Sequence, residues 1–122
     1  MNLVLWVVQV LVAVGFAIAG YSHAFTYERA RERMPWVRDV PRRFTRTIGV
    51  LEILGAAGLI LPAITGVLPW LTPLAAGALA LLQVLAIGFH ASRREWRSLP
   101  ANAVLVGLTL VAAFGRFVVV PF

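Results

Sequence analysis

The 122-residue chain contains no cysteine and no lysine, and only five of its residues are acidic. Without cysteine there is no disulfide framework, no thiolate metal site and no thiol redox couple, so any redox role needs a bound group. Charged residues make up 13% of the chain, about half the share of a soluble globular domain. With 61% hydrophobic residues and a mean hydropathy of +0.88, the apolar surplus exceeds what a soluble core absorbs. The net charge of +6 is carried by eleven arginines, most of them flanking apolar segments. That placement excludes nucleic acid as a partner and suits lipid headgroups, where a flanking arginine meets phosphate and holds topology. The partner these features imply is a lipid bilayer.

What is present in quantity is unbroken apolar sequence. Four runs of about bilayer-spanning length, with little amphipathic alternation, predict an all-α integral membrane four-helix bundle forming a single domain. The spans are expected at 2–23, 46–65, 70–91 and 99–120, with a basic loop at 24–45. Each is close to the ~20 residues a helix needs to cross ~30 Å of hydrocarbon. Pro41, Pro69, Pro73 and Pro100 fall at or near expected helix starts, where a missing N–H is harmless. Pro62 is the exception and is read as the frayed end of the second span. The first segment, up to Ala24, lacks the basic n-region and polar stop of a signal peptide and reads as a retained span. Gly49, Gly55, Ala56 and Gly58 in the second span, with Ala75–Ala78 around Gly77 in the third, permit close helix contact.

Arg29, Arg31, Arg33, Arg38, Arg42, Arg43, Arg46, Arg93, Arg94 and Arg97 all fall on one side of such a bundle, while the tight Gly66–Pro69 connection is uncharged. The positive-inside rule then places both termini outside the cytoplasm. The stretch Glu28–Arg33 followed by Met34-Pro35-Trp36-Val37 allows either a short interfacial helix, with Trp36 anchored among headgroups, or a solvated loop.

The informative residues are those that are costly where they sit. Glu52 is the only acid in any span, and a charge there costs about 2.5–3.5 kcal/mol on insertion scales, so it is expected to face the interior and find a partner. Counting depth along alternating helices puts His23, Glu52, His90 and Asn102 in one layer on the arginine-rich side, with Gln83 two turns above His90. Glu52 and His90 are the candidate proton-handling pair, and His23, Gln83 and Asn102 the candidate ligand-binding groups. Plainer readings stand beside these: a histidine closing a helix at the interface, a silent acid, an amide joining two helices. A metal site would need His23, Glu52 and His90 to converge on one ion, and none lies in a metal motif, so no metal is expected. Arg116, near the opposite end, is expected to snorkel outward or meet Gln9, with Trp6, Trp70, Phe114 and Phe117 in an outer aromatic belt.

Ala19-Gly20-Tyr21-Ser22-His23, Met34-Pro35-Trp36-Val37, Ile48-Gly49-Val50-Leu51-Glu52-Ile53-Leu54-Gly55, Leu71-Thr72-Pro73-Leu74 and Phe114-Gly115-Arg116-Phe117 together resemble the DoxX-like family of small bacterial membrane proteins. The resemblance implies a location in the bacterial cytoplasmic membrane. The family takes its name from a subunit of a thiosulfate:quinone oxidoreductase, which implies a quinone- or small-molecule-linked oxidoreductase component and a quinone as ligand. One departure is His23, where members often carry lysine: a titratable ring replaces a fixed cation. Two other functions remain open. One is a non-catalytic assembly or stabilising subunit, with a homo-oligomer or membrane complex as partner. The other is a small proton-coupled transporter, although such proteins keep their acid in the first span and show little charge bias.

Overall fold

Residues 2–119 are described by a computed structural model. The order of elements is α1 (Asn2–Phe25), α2 (Tyr27–Arg33), α3 (Pro35–Arg38), α4 (Arg42–Thr65), α5 (Leu71–Ser92), a 3₁₀ turn (Trp96–Ser98) and α6 (Leu99–Phe114), which widens into a π turn over Gly115–Val119. Among the described residues, four helices are long and apolar enough to cross a membrane: α1, α4, α5 and α6 with its π turn. The protein is an all-α, multi-pass membrane bundle. Val120, the last residue of the fourth span expected from the sequence, lies outside the described residues.

The second spanning helix starts at Arg42, one turn before Arg46, because extended Pro41 serves as its N-cap. The Arg42 guanidinium rests 4.8 Å from the centre of the Tyr27 ring, which seats that extra turn against α2. At its other end α4 runs through Pro62 to Thr65, so Pro62 is not a frayed terminus. A proline has no N–H to give the carbonyl four residues earlier. That carbonyl, on Gly58, instead accepts from the Thr72 hydroxyl of α5 at 3.2 Å. Left-handed Gly66 (φ 73°) then stops the helix, its N–H bonding to Pro62.

Packing divides the four spans into two tight pairs, α1 with α4 and α5 with α6, joined by less extensive α4–α5 and α1–α6 seams. Small residues let the seams close in the half away from the arginines. A Cβ on Gly58 would come within 2.8 Å of the Ala75 Cβ, and one on Gly55 would strike the Leu79 side chain. Around these contacts lies the main core, with Val12, Phe16, Leu59, Ala76 and Ala112 at its centre. Leu3, Leu11, Leu54, Leu81 and Leu110 point outward, as lipid-facing side chains must.

The same half holds a polar network. Arg116 is 2% exposed; its Nε donates to Gln9 Oε1 at 2.6 Å, and Nη1 donates to Asn2 Oδ1 at 2.7 Å. Gln9 Nε2 in turn donates to the Leu59 carbonyl at 2.8 Å, and the guanidinium lies 5.6 Å from the Trp6 ring centre. Of the two fates open to Arg116, the structure takes the one inside the bundle, tying α1, α4 and the end of α6 together.

Nearer the arginine-rich end, α1 and α4 cross backbone to backbone. A Cβ on Gly49 would lie 2.6 Å from both the Ala24 nitrogen and the Gly20 oxygen, whereas one on Gly77 meets nothing within 4 Å. Backbone cannot swing aside as a side chain can, so Gly49→Ala is expected to cost about 1–3 kcal/mol of overpacking and to lower the thermal midpoint in detergent by several degrees. Gly77→Ala, made in parallel, leaves the midpoint unchanged or raises it. Equal midpoints for the two variants would show that the crossing is not tight.

Candidate functional site

The Gly20–Gly49 crossing has a direct chemical consequence. His23 stands one turn after Gly20 and Glu52 one turn after Gly49, so the closest approach of the two backbones delivers both side chains to the same seam. His23 Nδ1 meets Glu52 Oε1 at 2.6 Å, with both residues buried. The bond gives the lone acid of the spans the partner it requires.

A second histidine–carboxylate pair forms where α5 ends. The chain reverses after Ser92, with Arg94 in a left-handed conformation (φ 59°) and the Glu95 N–H returning to the His90 carbonyl at 2.9 Å. This turn brings Glu95 Oε1 to 3.1 Å from His90 Nδ1 and 2.9 Å from Arg93 Nε. Arg93 also bonds Asp39, after α3. Its guanidinium is held above its ordinary range, chiefly by the Asp39 hydrogen bond.

Trp36 joins the two pairs. Pro35 occupies the first turn of α3, and the indole that follows is only 8% exposed. It lies edge-on to His23 at 5.3 Å, to His90 at 6.2 Å and to Phe89 at 6.0 Å between ring centres. Trp36 is therefore not anchored among headgroups. The sequence Met34-Pro35-Trp36-Val37 folds inward because Trp36 and Val37 complete a second apolar cluster with Ala30, and this cluster bridges the two helix pairs at the arginine-rich end.

Between the two apolar clusters lies a cavity of about 920 Å³, at the upper end of ordinary ligand pockets. His23, Glu52, Gln83, His90 and Asn102 all line it, as do Trp36 and Glu95. Most of the remaining wall is aliphatic or aromatic. Ile18, Leu51 and Leu85 line it while being 67%, 50% and 62% exposed on the outside of the bundle, so the cavity reaches the lipid-facing surface. Glu52 neither faces lipid nor is sealed in solid packing.

The layer is arranged differently from the depth count. Stepping along the antiparallel register from Gly55–Leu79 brings Gln83 level with Leu51, and stepping from Gly15–Leu105 brings Asn102 level with Ile18, which the Gly20–Gly49 crossing sets near Leu51. Gln83, Glu52 and Asn102 therefore share one level, and His90 lies two turns closer to the arginine-rich end. The reason is the early start of α4, which places Glu52 ten residues into its helix rather than six. Gln83 Oε1 and Asn102 Nδ2 are buried without a hydrogen-bond partner. Among the described residues no three His, Cys, Asp or Glu side chains gather into a group able to hold a metal ion.

Glu95 and Trp36 are the site residues that sequence reasoning missed. Glu95 lies beyond the span and reaches His90 only through the reversal at Arg94. For Trp36 a signal existed: an indole flanked by proline and valine inside an otherwise charged loop has an apolar place to go.

A search of curated proteins and a search of solved structures find no significant match. The profile of the DoxX-like family matches residues 7–114, from the first helix to the end of α6. That match takes in both helix pairs, the Gly20–Gly49 crossing and every residue of the cavity wall named above, and the chain belongs to the DoxX-like family.

Proposed function

We propose that this chain is the ligand-binding subunit of a membrane oxidoreductase, holding a flat, lipid-soluble molecule of the quinone kind between its two helix pairs. The observation that carries this reading is the buried His23–Glu52 pair, 2.6 Å apart, on the wall of a largely apolar 920 Å³ cavity. The residues fit such a ligand. The apolar wall suits a ring and its tail, the buried unpartnered Nδ2 of Asn102 suits a ring oxygen that accepts, and the lipid-facing rim at Ile18 and Leu85 suits loading from the bilayer.

A bound quinone supplies two-electron chemistry in which its oxygens take up and release protons. The chain's own residues manage the protons. Glu52 holds Nδ1 of His23 and fixes the ring, which leaves Nε2 to hydrogen-bond a ligand oxygen and exchange a proton with it. His90 and Glu95, two turns closer to the arginine-rich surface, pass protons between that surface and the cavity. With no thiol couple in the chain, electrons come from a partner subunit. The arginine-rich end lies in the cytoplasm and both termini lie outside it, in the cytoplasmic membrane of a bacterium.

Two outcomes check these statements. Protein reconstituted in nanodiscs is expected to bind decyl-ubiquinone, followed by tryptophan quenching, and Glu52→Gln to weaken that binding at least tenfold with the thermal midpoint within a few degrees of wild type. Equal affinity in the two proteins, or none in wild type, overturns the reading. For topology, the natural absence of cysteine allows single probes: Ser92→Cys should react with an impermeant maleimide only after the inner membrane is opened, and Val67→Cys before. The reverse pattern would invert the orientation.

A further inference from the structure

The two walls of the cavity differ in chemistry. The α1–α4 pair contributes a satisfied couple, His23 and Glu52. The α5–α6 pair contributes Gln83 and Asn102, each with a buried polar atom lacking a partner. Gln83 is 7% exposed, and its orphan is an acceptor oxygen; the orphan on Asn102 is a donor nitrogen. Buried groups of this kind are rarely left unpaired, because their lost hydration then goes uncompensated. The antiparallel register puts the two amides on one level with Glu52, on three different helices around one cavity. Thr72 answers the carbonyl that Pro62 leaves open, whereas Thr45 Oγ1, away from the cavity, is buried without a partner; what sets Gln83 and Asn102 apart is that both line the cavity.

We infer that Gln83 and Asn102 form a selectivity subsite for a hydroxyl-bearing ring. The preferred head is one that both donates a hydrogen bond, to Gln83 Oε1, and accepts one, from Asn102 Nδ2. A head whose oxygens only accept leaves the Gln83 oxygen unpaired and binds less tightly. This inference rests on the proposed use of the cavity as a ligand site. It adds a rule about the head group that does not depend on proton transfer through His23. The ligand class is an aromatic or alicyclic alcohol with a hydrocarbon tail, whose ring lies among the apolar side chains and whose tail leaves past Ile18 or Leu85.

The test compares 4-nonylphenol with 4-nonylanisole, its methyl ether, on nanodisc-reconstituted protein by displacement-free tryptophan quenching and calorimetry. The two probes share ring and tail and differ in the single donor. Wild type is expected to bind the phenol about tenfold more tightly, the worth of one hydrogen bond to a buried acceptor. Gln83→Met, close in volume, should bring the ratio near one chiefly by weakening the phenol. Equal affinity of the two probes for wild type, as expected if water satisfies both amides, overturns the subsite while leaving the cavity a ligand site. Failure of both probes to bind overturns the cavity reading and this inference with it. Because the central comparison uses unmodified protein, it holds even if Gln83→Met folds poorly.

Discussion

A carboxyl group inside a bilayer must be paired, and the way Glu52 is paired organises the arginine-rich half of this protein. Its partner, His23, is on another helix, and a 2.6 Å bond between two short side chains is possible only where the two backbones nearly touch. Gly20 and Gly49 provide that approach, each one turn from the group it positions. The glycines and the pair are thus one device: the crossing makes the bond possible, and the bond holds the crossing against the freedom of two helices that have no hydrophobic force driving them together in lipid.

With α1 locked to α4, and α5 packed along α6, the bundle becomes two pairs with a seam on either side. The far half closes these seams with the Gly58–Ala75 approach, the Thr72–Gly58 bond and the Arg116–Gln9–Leu59 chain. The arginine-rich half leaves them open and inserts Trp36 instead. An indole touching His23 on one pair and His90 on the other spans the gap without filling it, so the volume above it persists as a cavity. The Asp39–Arg93 pair ties the segment that carries Trp36 to the end of α5 from outside.

Much of this was legible in the sequence, and the reasons differ by residue. The spans follow from apolar length, and Glu52 stands out because a charge there is costly. That the polar groups point inward follows from the same cost. The level of each group did not follow, because depth counted from the arginines misjudged the start of α4 at Arg42 and so set Glu52 beside His90 rather than beside Gln83. Pro62 read as a terminus because its compensation is a bond from a threonine hydroxyl on the next helix to the Gly58 carbonyl, between residues fourteen apart. Glu95 and Trp36 lie outside the spans, where hydropathy is silent and only the chain reversal at Arg94 and the inward fold at Pro35 give them a place in the wall.

The division of chemistry between the walls bears on what the cavity can hold. A site made only of the His23–Glu52 pair would accept any ligand with an oxygen near the ring, since a histidine can donate or accept according to its proton. The amide wall is more demanding, because an orphaned acceptor and an orphaned donor at fixed positions penalise every head that fails to answer both. On the proposed reading, proton exchange belongs to the helix pair that is locked by its own bond, and recognition to the pair whose polar atoms are still unanswered. A ligand that answers the amides and the His23 ring together would touch both pairs, adding to the link that Trp36 already makes across the same gap.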